Sequence, residues 1–153
     1  MISPFDFACK ILKYSAKTEK EITDRLRTRK LDETEIKQTV EKLKKYNFLN
    51  DTRYITEYIE SKLESGYGLE LIKEKLLEKG IEETLLKQVA KELNLGEEQE
   101  LASASKVLEK KLKTTKGQTG EKLKAKLENF LQSRGFPEHI IETVVADSSA
   151  KLK

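Results

Sequence analysis

The chain has 153 residues, of which 37% are charged, 37% hydrophobic and 7% aromatic, with no tryptophan and two prolines. This mixture, rich in Lys, Glu and Leu, favours long, solvent-exposed helices over a β-sheet. The single cysteine, Cys9, excludes an internal disulfide framework, and its apolar neighbours predict a small buried side chain. No apolar run is long enough to span a bilayer and the first residues do not resemble a secretory signal, so we expect a cytoplasmic protein.

The net charge of +3 is unevenly distributed along the chain. Residues 10–30 hold eight Lys or Arg against three acids, and residues 106–126 hold eight Lys against two Glu. Residues 57–100 between them hold twelve Glu against six Lys. This alternation indicates a polyanionic or patchily charged partner, unless the charges serve only to solvate the helices.

Helix-capping residues recur from the beginning of the chain to its end. Thr18 and Asp32 each stand three residues before a Glu, the spacing of a capping box, and Asn50-Asp51 can cap the helix that follows. Gly80 and Gly135 follow apolar helical runs, where a residue with positive φ ends a helix at little cost. The tyrosines Tyr14, Tyr54 and Tyr58 occupy apolar positions of the predicted helices, so we expect them in the core.

An internal repeat connects these helices. One pattern of apolar spacing, followed by a short turn and another helix, occurs three times at offsets of 50 and 55 residues. Its positions are Ile22, Leu26, Leu31, Ile36 and Val40 in the first copy; Ile72, Leu76, Ile81, Leu86 and Ala90 in the second; and Leu127, Leu131, Phe136, Ile141 and Val145 in the third. Three detailed copies indicate a helical-repeat protein.

A further helix precedes the helical pair in each copy, so the predicted fold is all-α with three tandem three-helix repeats. The predicted boundaries are 1–49, 50–96 and 97–147, with a flexible tail over 148–153. A lone unit of this size is near the lower limit for independent folding, and stacking in a row offsets that limit. We therefore expect an elongated, curved array with a long face for another large molecule.

Three segments of the chain resemble signatures of the RecX family. They are Phe48-Leu49-Asn50-Asp51-Thr52-Arg53-Tyr54; Gly66-Tyr67-Gly68-Leu69-Glu70-Leu71-Ile72, continued by Leu76-Leu77-Glu78-Lys79-Gly80-Ile81; and Phe130-Leu131-Gln132-Ser133-Arg134-Gly135-Phe136. They appear in the family's order and spacing, and the resemblance covers about residues 8–146. The first copy departs from the pattern, since Lys30-Leu31 stands where the later copies have glycine and an apolar residue.

The resemblance implies a regulator that binds the RecA recombinase filament on single-stranded DNA. Proteins of this family are expected to restrain filament growth, ATP hydrolysis and strand exchange, and so to limit recombination, DNA repair and the SOS response. A monomer in the cytoplasm is expected, with a weak direct contact to DNA as a secondary property. No cofactor is implied.

Two basic groups are the candidate partner-binding residues. At 100° per residue, Lys106, Lys110 and Lys113 fall on one side of a predicted helix, opposite Leu101, Ala104, Leu108 and Leu112. Such a row of ammonium groups would attract phosphates or an acidic protein surface, although plain solvation of the helix is the alternative. The second group is Arg25, Arg27, Arg29 and Lys30 near the first interhelical turn, with Arg53 added through the family motif.

Enzymatic readings have little support in the sequence. The single histidine, His139, has no evident nucleophile or orienting partner, and Gly66-Tyr67-Gly68 follows a helix rather than a strand. We therefore predict a binding protein and not an enzyme. A direct nucleic-acid-binding helical module and a general helical-repeat interaction scaffold remain as alternatives.

Overall fold

The computed structural model describes residues 2–151, and over this range the protein contains nine α-helices and no strand. The helices are α1 (Pro4–Tyr14), α2 (Glu19–Arg27), α3 (Glu33–Lys45), α4 (Asp51–Glu64), α5 (Leu69–Glu78), α6 (Glu83–Glu92), α7 (Glu97–Lys113), α8 (Gly120–Ser133) and α9 (Glu138–Lys151). Within the same range no helix combines the length and apolar character that crossing a membrane requires. The all-α prediction is confirmed.

The helices follow one another as three trios, α1–α3, α4–α6 and α7–α9, in agreement with the predicted tandem three-helix repeats. In the first and third trios every helix contacts the other two. α9 continues to Lys151, so residues 148–151 of the predicted flexible tail lie in this helix, and the predicted repeat boundaries and tail stay predictions. Residues 152 and 153, the rest of the predicted tail, lie outside the described residues.

The predicted capping residues begin the helices as expected. The Thr18 hydroxyl accepts from the Glu21 amide at 3.1 Å while the Thr18 amide donates to the Glu21 carboxylate at 2.9 Å, which completes a capping box. Asp32 accepts from the Glu35 amide at 2.8 Å. The Asn50 side chain accepts from the Arg53 amide at 3.0 Å, so the first residue of that pair supplies the cap of α4.

One type of helix end is common to the three copies of the repeat. Gly80 and Gly135 have φ values of 89° and 88°, and the amide of the residue after each donates back to the helix, at 3.1 Å from Ile81 to Leu76 and 3.3 Å from Phe136 to Leu131. Lys30 takes the same left-handed conformation with φ of 58°, although it has a side chain. The first copy therefore departs from the sequence pattern but keeps a left-handed residue at this position, at a cost in strain.

The repeated apolar positions form the core. Of the fifteen positions, all are buried except Leu31 and Ala90, which are half-buried. Two expectations about other side chains are wrong. Tyr14 is 90% exposed because it lies in the last turn of α1, whereas Tyr54 and Tyr58 are partly buried. Cys9 is also only half-buried, since α1 buries fully only Ala8.

The described chain divides into two compact units. Unit 1 comprises the residues up to Glu57 together with Leu76–Val89, and unit 2 comprises Tyr58–Lys75 together with the residues from Ala90 onward. A hydrophobic cluster of unit 1 is built from α1, α2 and α3, and a cluster of unit 2 from α7, α8 and α9. The helices of the middle repeat contribute to both units, so compactness does not follow the repeat boundaries.

Carboxylates of one repeat cap helices of the repeat before it, in each unit separately. In unit 1 the Asp51 carboxylate accepts from the amide of Glu19, the first residue of α2, at 2.9 Å. In unit 2 the Glu100 carboxylate accepts from the amide of Leu69, the first residue of α5, at 2.7 Å. Leu69 stands 50 residues after Glu19, so this contact recurs with the repeat and stabilises two helix N-termini that would otherwise leave orphan amides.

Candidate functional site

The lysine row predicted on α7 is present on the outer side of that helix. Lys106, Lys110 and Lys113 are all exposed. The opposite side of α7 is buried and consists of Ser103, Ala104, Val107 and Leu108, with Leu101 and Leu112 packed partly against the core. The amphipathic arrangement of α7 is therefore confirmed, and its basic side faces solvent.

An acid from another helix lies beside this row. The Lys106 ammonium group contacts the carboxylate of Glu64 at the end of α4. The hydrogen bond from Lys106 lowers the pKa of Glu64, and the positive charges of Lys106 and Lys110 lower it further. Within α7 itself, Glu109 is three residues from Lys106 and four from Lys113 and so borders the row, and the tertiary fold adds Glu64 from α4. Because both partners are largely exposed, the pair contributes little stability and a binding partner can displace it.

Of the four basic residues at and just after the end of α2, two contact a partner side chain in the described part of the chain and two do not. Arg27 forms ion pairs with Asp24 and Glu33 at 3.4 and 3.2 Å. The Arg29 guanidinium lies 4.4 Å from the centroid of the Phe7 ring. In the part of the chain that the structure describes, the side chains of Arg25 and Lys30 have no ion pair or hydrogen bond and are exposed. These two remain open to a partner.

Arg53 is exposed and helps to fix the turn between α3 and α4. Its guanidinium donates to the carbonyl of Asn47 at 3.1 Å. Together with Lys17 and Phe48 it also lines a groove of about 200 Å³ in unit 1. Phe48 itself is 49% exposed. Arg53 therefore stabilises the turn through its hydrogen bond to Asn47, while its exposed guanidinium group remains accessible to a partner.

The predicted residues belong to different units. The three α7 lysines lie in unit 2, whereas the α2 group and Arg53 lie in unit 1. Each group is therefore a surface of its own unit. His139, the single histidine, is exposed at the beginning of α9. Among the described residues no group of three His, Cys, Asp or Glu side chains could hold a metal ion.

A set of cations in unit 2 was not identified from the sequence. Lys62, Lys111 and Arg134 lie over aromatic rings of Tyr58, Tyr67 and Phe130. We call these six residues the cation–aromatic strip. Tyr58 and Phe130 stand four residues before Lys62 and Arg134, the spacing of neighbours on one helix face. Two further sequence signals were the aromatic residue between two glycines at Tyr67 and the arginine before Gly135. Neither signal shows that the two residues meet, because they are 67 positions apart.

The fold and its surfaces define a class of protein: an all-helical protein of three tandem three-helix repeats, with basic surface groups on both units. Sequence patterns of known families make the assignment more specific. The first, second and third three-helix domains of RecX match residues 5–43, 50–89 and 97–145, respectively. The chain belongs to the RecX family.

Individual relatives agree with this assignment. The chain is 36% identical over 140 residues to regulatory protein RecX of Clostridium beijerinckii, covering 90% of this chain and 64% of the relative. It is 38% identical over 131 residues to regulatory protein RecX of Clostridium perfringens strain SM101, covering 84% of this chain and 60% of the relative. The chain therefore spans somewhat less than two thirds of the length of these curated relatives.

Solved structures support the fold. The crystal structure of RecX from Lactobacillus salivarius is similar with a TM-score of 0.77 and 23% identity, over 94% of this chain and 93% of that one. A second crystal structure, of a regulatory protein RecX, gives a TM-score of 0.74 at 20% identity, over 92% of this chain and 70% of that one. At these identities the likeness concerns the fold alone.

Proposed function

We propose that this protein is a negative regulator of a RecA-type recombinase, acting by binding the filament that the recombinase forms on single-stranded DNA. Bound to the filament, it restrains filament growth, ATP hydrolysis and strand exchange. The observation that carries the proposal is the ordered match of all three RecX domains between residues 5 and 145. The proposal implies a monomer acting in the cytoplasm, without catalysis of its own.

The basic surfaces supply the physical means of attachment. Lys106, Lys110 and Lys113 are exposed along one side of α7, and Arg25 and Lys30 are open on unit 1. Positive groups of this kind attract acidic protein surfaces and phosphates and accelerate encounter. Each exposed pair contributes at most about 1 kcal/mol, so several must act together to give useful affinity.

A recombinase ATPase assay on single-stranded DNA tests the proposal directly. A bacterial RecA is assembled on poly(dT), and this protein is added at substoichiometric levels during steady-state hydrolysis. We expect the rate to fall well before one protein is present per recombinase subunit, because blocking growth affects a whole filament. An unchanged rate at equimolar protein would contradict the proposal.

Charge reversal tests the role of α7. If each lysine contributes roughly 0.5 kcal/mol, then K106E/K110E/K113E should raise the concentration for half-inhibition about tenfold or more. The matched control is K37E/K45E/K91E, which reverses three exposed lysines on other helices. Equal inhibition by the two variants would show that net charge, and not α7, is responsible.

Glu64→Gln should strengthen inhibition of the recombinase, whereas charge reversal of the lysines should weaken it. Glu64→Gln removes the carboxylate that engages Lys106 and also lies near Lys110. The freed lysines should inhibit at a lower protein concentration than in the wild type. A loss of inhibition would mean that Glu64, and not the lysines, contacts the partner.

Titration of labelled single-stranded DNA, with and without recombinase, distinguishes a filament regulator from a dedicated nucleic-acid-binding module. A dedicated module binds tightly alone. A filament regulator gains most of its affinity from the recombinase. A general interaction scaffold would show neither behaviour.

A further inference from the structure

The turn between α3 and α4 holds a large aromatic side chain at the surface. Leu49 is buried, whereas the ring of Phe48 beside it is 49% exposed. An edge-to-face contact with Phe5, at a centroid distance of 6.0 Å, supports the Phe48 ring from one side. Tyr46, which is 56% exposed, packs against the same Phe5 ring at 6.3 Å. Because two exposed rings share one support, they form an apolar patch, and such patches mark interaction sites.

Phe48 also lines a small groove in unit 1, which we call the Phe48 groove. The other lining residues that bear on its chemistry are Leu12, Lys17, Arg53, Tyr54 and Glu57. Its volume of about 200 Å³ is below the roughly 300–1,000 Å³ of pockets that enclose whole small-molecule ligands. The Phe48 groove is therefore suited to one large side chain and not to a complete cofactor or metabolite.

The two cations of the Phe48 groove have no acidic partner in the described part of the chain. Arg53 donates one N–H to the carbonyl of Asn47, and most of the other donors of its guanidinium group stay unused. Lys17 is half-buried and forms no ion pair. Glu57 lines the same groove but pairs with neither cation. Two uncompensated cations beside apolar surface favour an occupant that brings carboxylates.

The backbone that carries the Phe48 ring is fixed before any partner arrives. Asn47 has a positive φ of 60°, a conformation that asparagine tolerates better than most residues. The Phe48 amide donates to the carbonyl of Leu43 at 2.9 Å, and the bond from Arg53 to the Asn47 carbonyl closes the other side of the turn. A prearranged ring loses little conformational entropy on binding.

The charges around the Phe48 groove discriminate among occupants. A nucleic-acid strand requires a row of cations and rings along its backbone, whereas this groove has one cavity and two cations, and Glu57 would repel phosphates. A second copy of the chain would bring the wrong charge, because its exposed rings Tyr14 and Tyr46 each follow a lysine, Lys13 and Lys45. A peptide with one ring and several carboxylates matches both the cavity and the cations.

We propose that the Phe48 groove binds a short acidic peptide segment of a partner protein other than the recombinase. One aromatic side chain of that segment packs between Leu12 and Phe48, and its carboxylates pair with Lys17 and Arg53. The lysine row of α7 lies in the other unit, and the α2 basic group does not line this groove. The same regulator could thus hold a second protein while its basic surfaces engage the filament.

Fluorescence anisotropy with the labelled peptide DDEGFGEDD and the full chain, without recombinase, tests the proposal. We expect saturable binding that weakens between about 50 and 200 mM NaCl, because salt screens the carboxylate contacts. The same peptide with alanine in place of phenylalanine should bind about tenfold or more weakly, since burial of the ring is lost. The same peptide with asparagine and glutamine in place of its acids should bind about fivefold more weakly and lose the salt dependence.

Variants of the protein test the ring of the groove. Phe48→Ala should weaken binding of the peptide about tenfold, whereas Phe48→Tyr keeps the ring and should bind as the wild type does. Tyr14→Ala is the matched control, since it removes a ring that is 90% exposed and does not line the groove. Far-UV circular dichroism verifies that each variant stays folded.

Two charge variants should act in opposite directions. Lys17→Gln should weaken binding about twofold, and Glu57→Gln should strengthen it about twofold, because each removes one charge of the groove lining. Lys37→Gln, which neutralises an exposed lysine of α3, is the matched control and should leave the affinity unchanged. Weaker binding by Glu57→Gln would contradict the charge assignment.

Several results would overturn the proposal. They are the absence of saturable binding at protein concentrations up to about 0.3 mM, and equal affinity for the alanine peptide. Displacement of the peptide by unlabelled oligo(dT) as efficient as by unlabelled peptide would assign the groove to nucleic acid. A dimer in sedimentation that Phe48→Ala dissociates would assign it to a second copy.

The recombinase ATPase assay separates this proposal from the proposed function. Phe48→Ala should inhibit hydrolysis as the wild type does, because the peptide's protein is not the recombinase. A parallel loss of inhibition and peptide binding would assign the Phe48 groove to the recombinase and overturn the inference. Absence of inhibition by the wild type would instead contradict the proposed function and leave the peptide result standing.

Discussion

Gly68→Ala is expected to be strongly destabilising although it adds a single methyl group. The new Cβ would lie 2.2 Å from the carbonyl oxygen and 2.5 Å from the carbonyl carbon of Gly135, and 2.8 Å from the amide nitrogen of Phe136. All three are backbone atoms at a helix end, so no flexible side chain can move aside. The chain must separate there, which breaks the 2.8 Å bond from the Gly68 amide to Arg134.

The magnitude follows from these two losses. Overpacking a rigid site costs about 1–3 kcal/mol, and losing one partly buried backbone hydrogen bond costs about 1 kcal/mol more. We expect the free energy of unfolding to fall by about 2–4 kcal/mol. For a chain of this length that corresponds to a fall of roughly 4–16 °C in melting temperature.

Urea unfolding followed by far-UV circular dichroism measures the change. Gly96→Ala is the matched control, since the nearest atom to a Cβ there is a Gln99 side-chain oxygen at 3.9 Å. It should lose less than about 1 kcal/mol, mainly from a poorer N-cap. A Gly68→Ala protein within about 0.5 kcal/mol of the wild type would refute the steric reasoning.

Three further changes probe helix ends and one half-buried carboxylate, that of Asp51. Thr18→Ala removes both the capping box and the 2.7 Å bond from the Thr18 hydroxyl to the Lys79 carbonyl, and should cost about 2 kcal/mol in urea unfolding, with Thr18→Ser losing much less. Lys30→Gly relieves a positive φ of 58° and should raise the free energy of unfolding by about 1 kcal/mol, an effect that Lys30→Ala cannot reproduce. Burial raises the pKa of Asp51 above 3.8, and the charges of Glu19 and Glu82 raise it further. Because the folded-state pKa is the higher one, the stability that Asp51 contributes is greatest when it is protonated and is lost as the pH rises through that pKa. Asp51→Asn should therefore gain stability relative to the wild type between about pH 4 and pH 7, and a constant difference over this range would contradict the assignment.

Much of the site was visible in the sequence, but its electrostatics were not. The 100° rotation per residue places Lys106, Lys110 and Lys113 on one side of α7, and they are exposed as predicted. The periodicity of α7 cannot predict that Glu64, which belongs to α4, contacts Lys106 in this row. Whether these lysines contact a partner stays a prediction, as do the repeat boundaries and the elongated, curved shape.

Sequence patterns predicted those structural features that depend only on neighbouring residues in the chain. The capping box at Thr18 needs only four consecutive residues, so it could be predicted. Tyr14 was misassigned because helical spacing predicts which side of α1 a residue occupies, but not whether another element covers the end of that helix. The left-handed Lys30 shows the reverse case, in which the first copy keeps a left-handed residue although its sequence departs from the pattern.

The sequence by itself determined the helices, their number, their threefold repetition and the family, because these depend on spacings and caps within short stretches of chain. Only the tertiary structure decided which charges are neutralised, how Asp51 and Glu100 cap helices of the preceding repeat, and that Lys62, Lys111 and Arg134 meet aromatic rings. Several of these contacts join distant residues, 32 positions apart for Asp51 and Glu19, 31 for Glu100 and Leu69, and 67 for Arg134 and Tyr67. Pairings at such separations depend on how helices pack, and helical periodicity fixes only the side of a helix and not what lies against it.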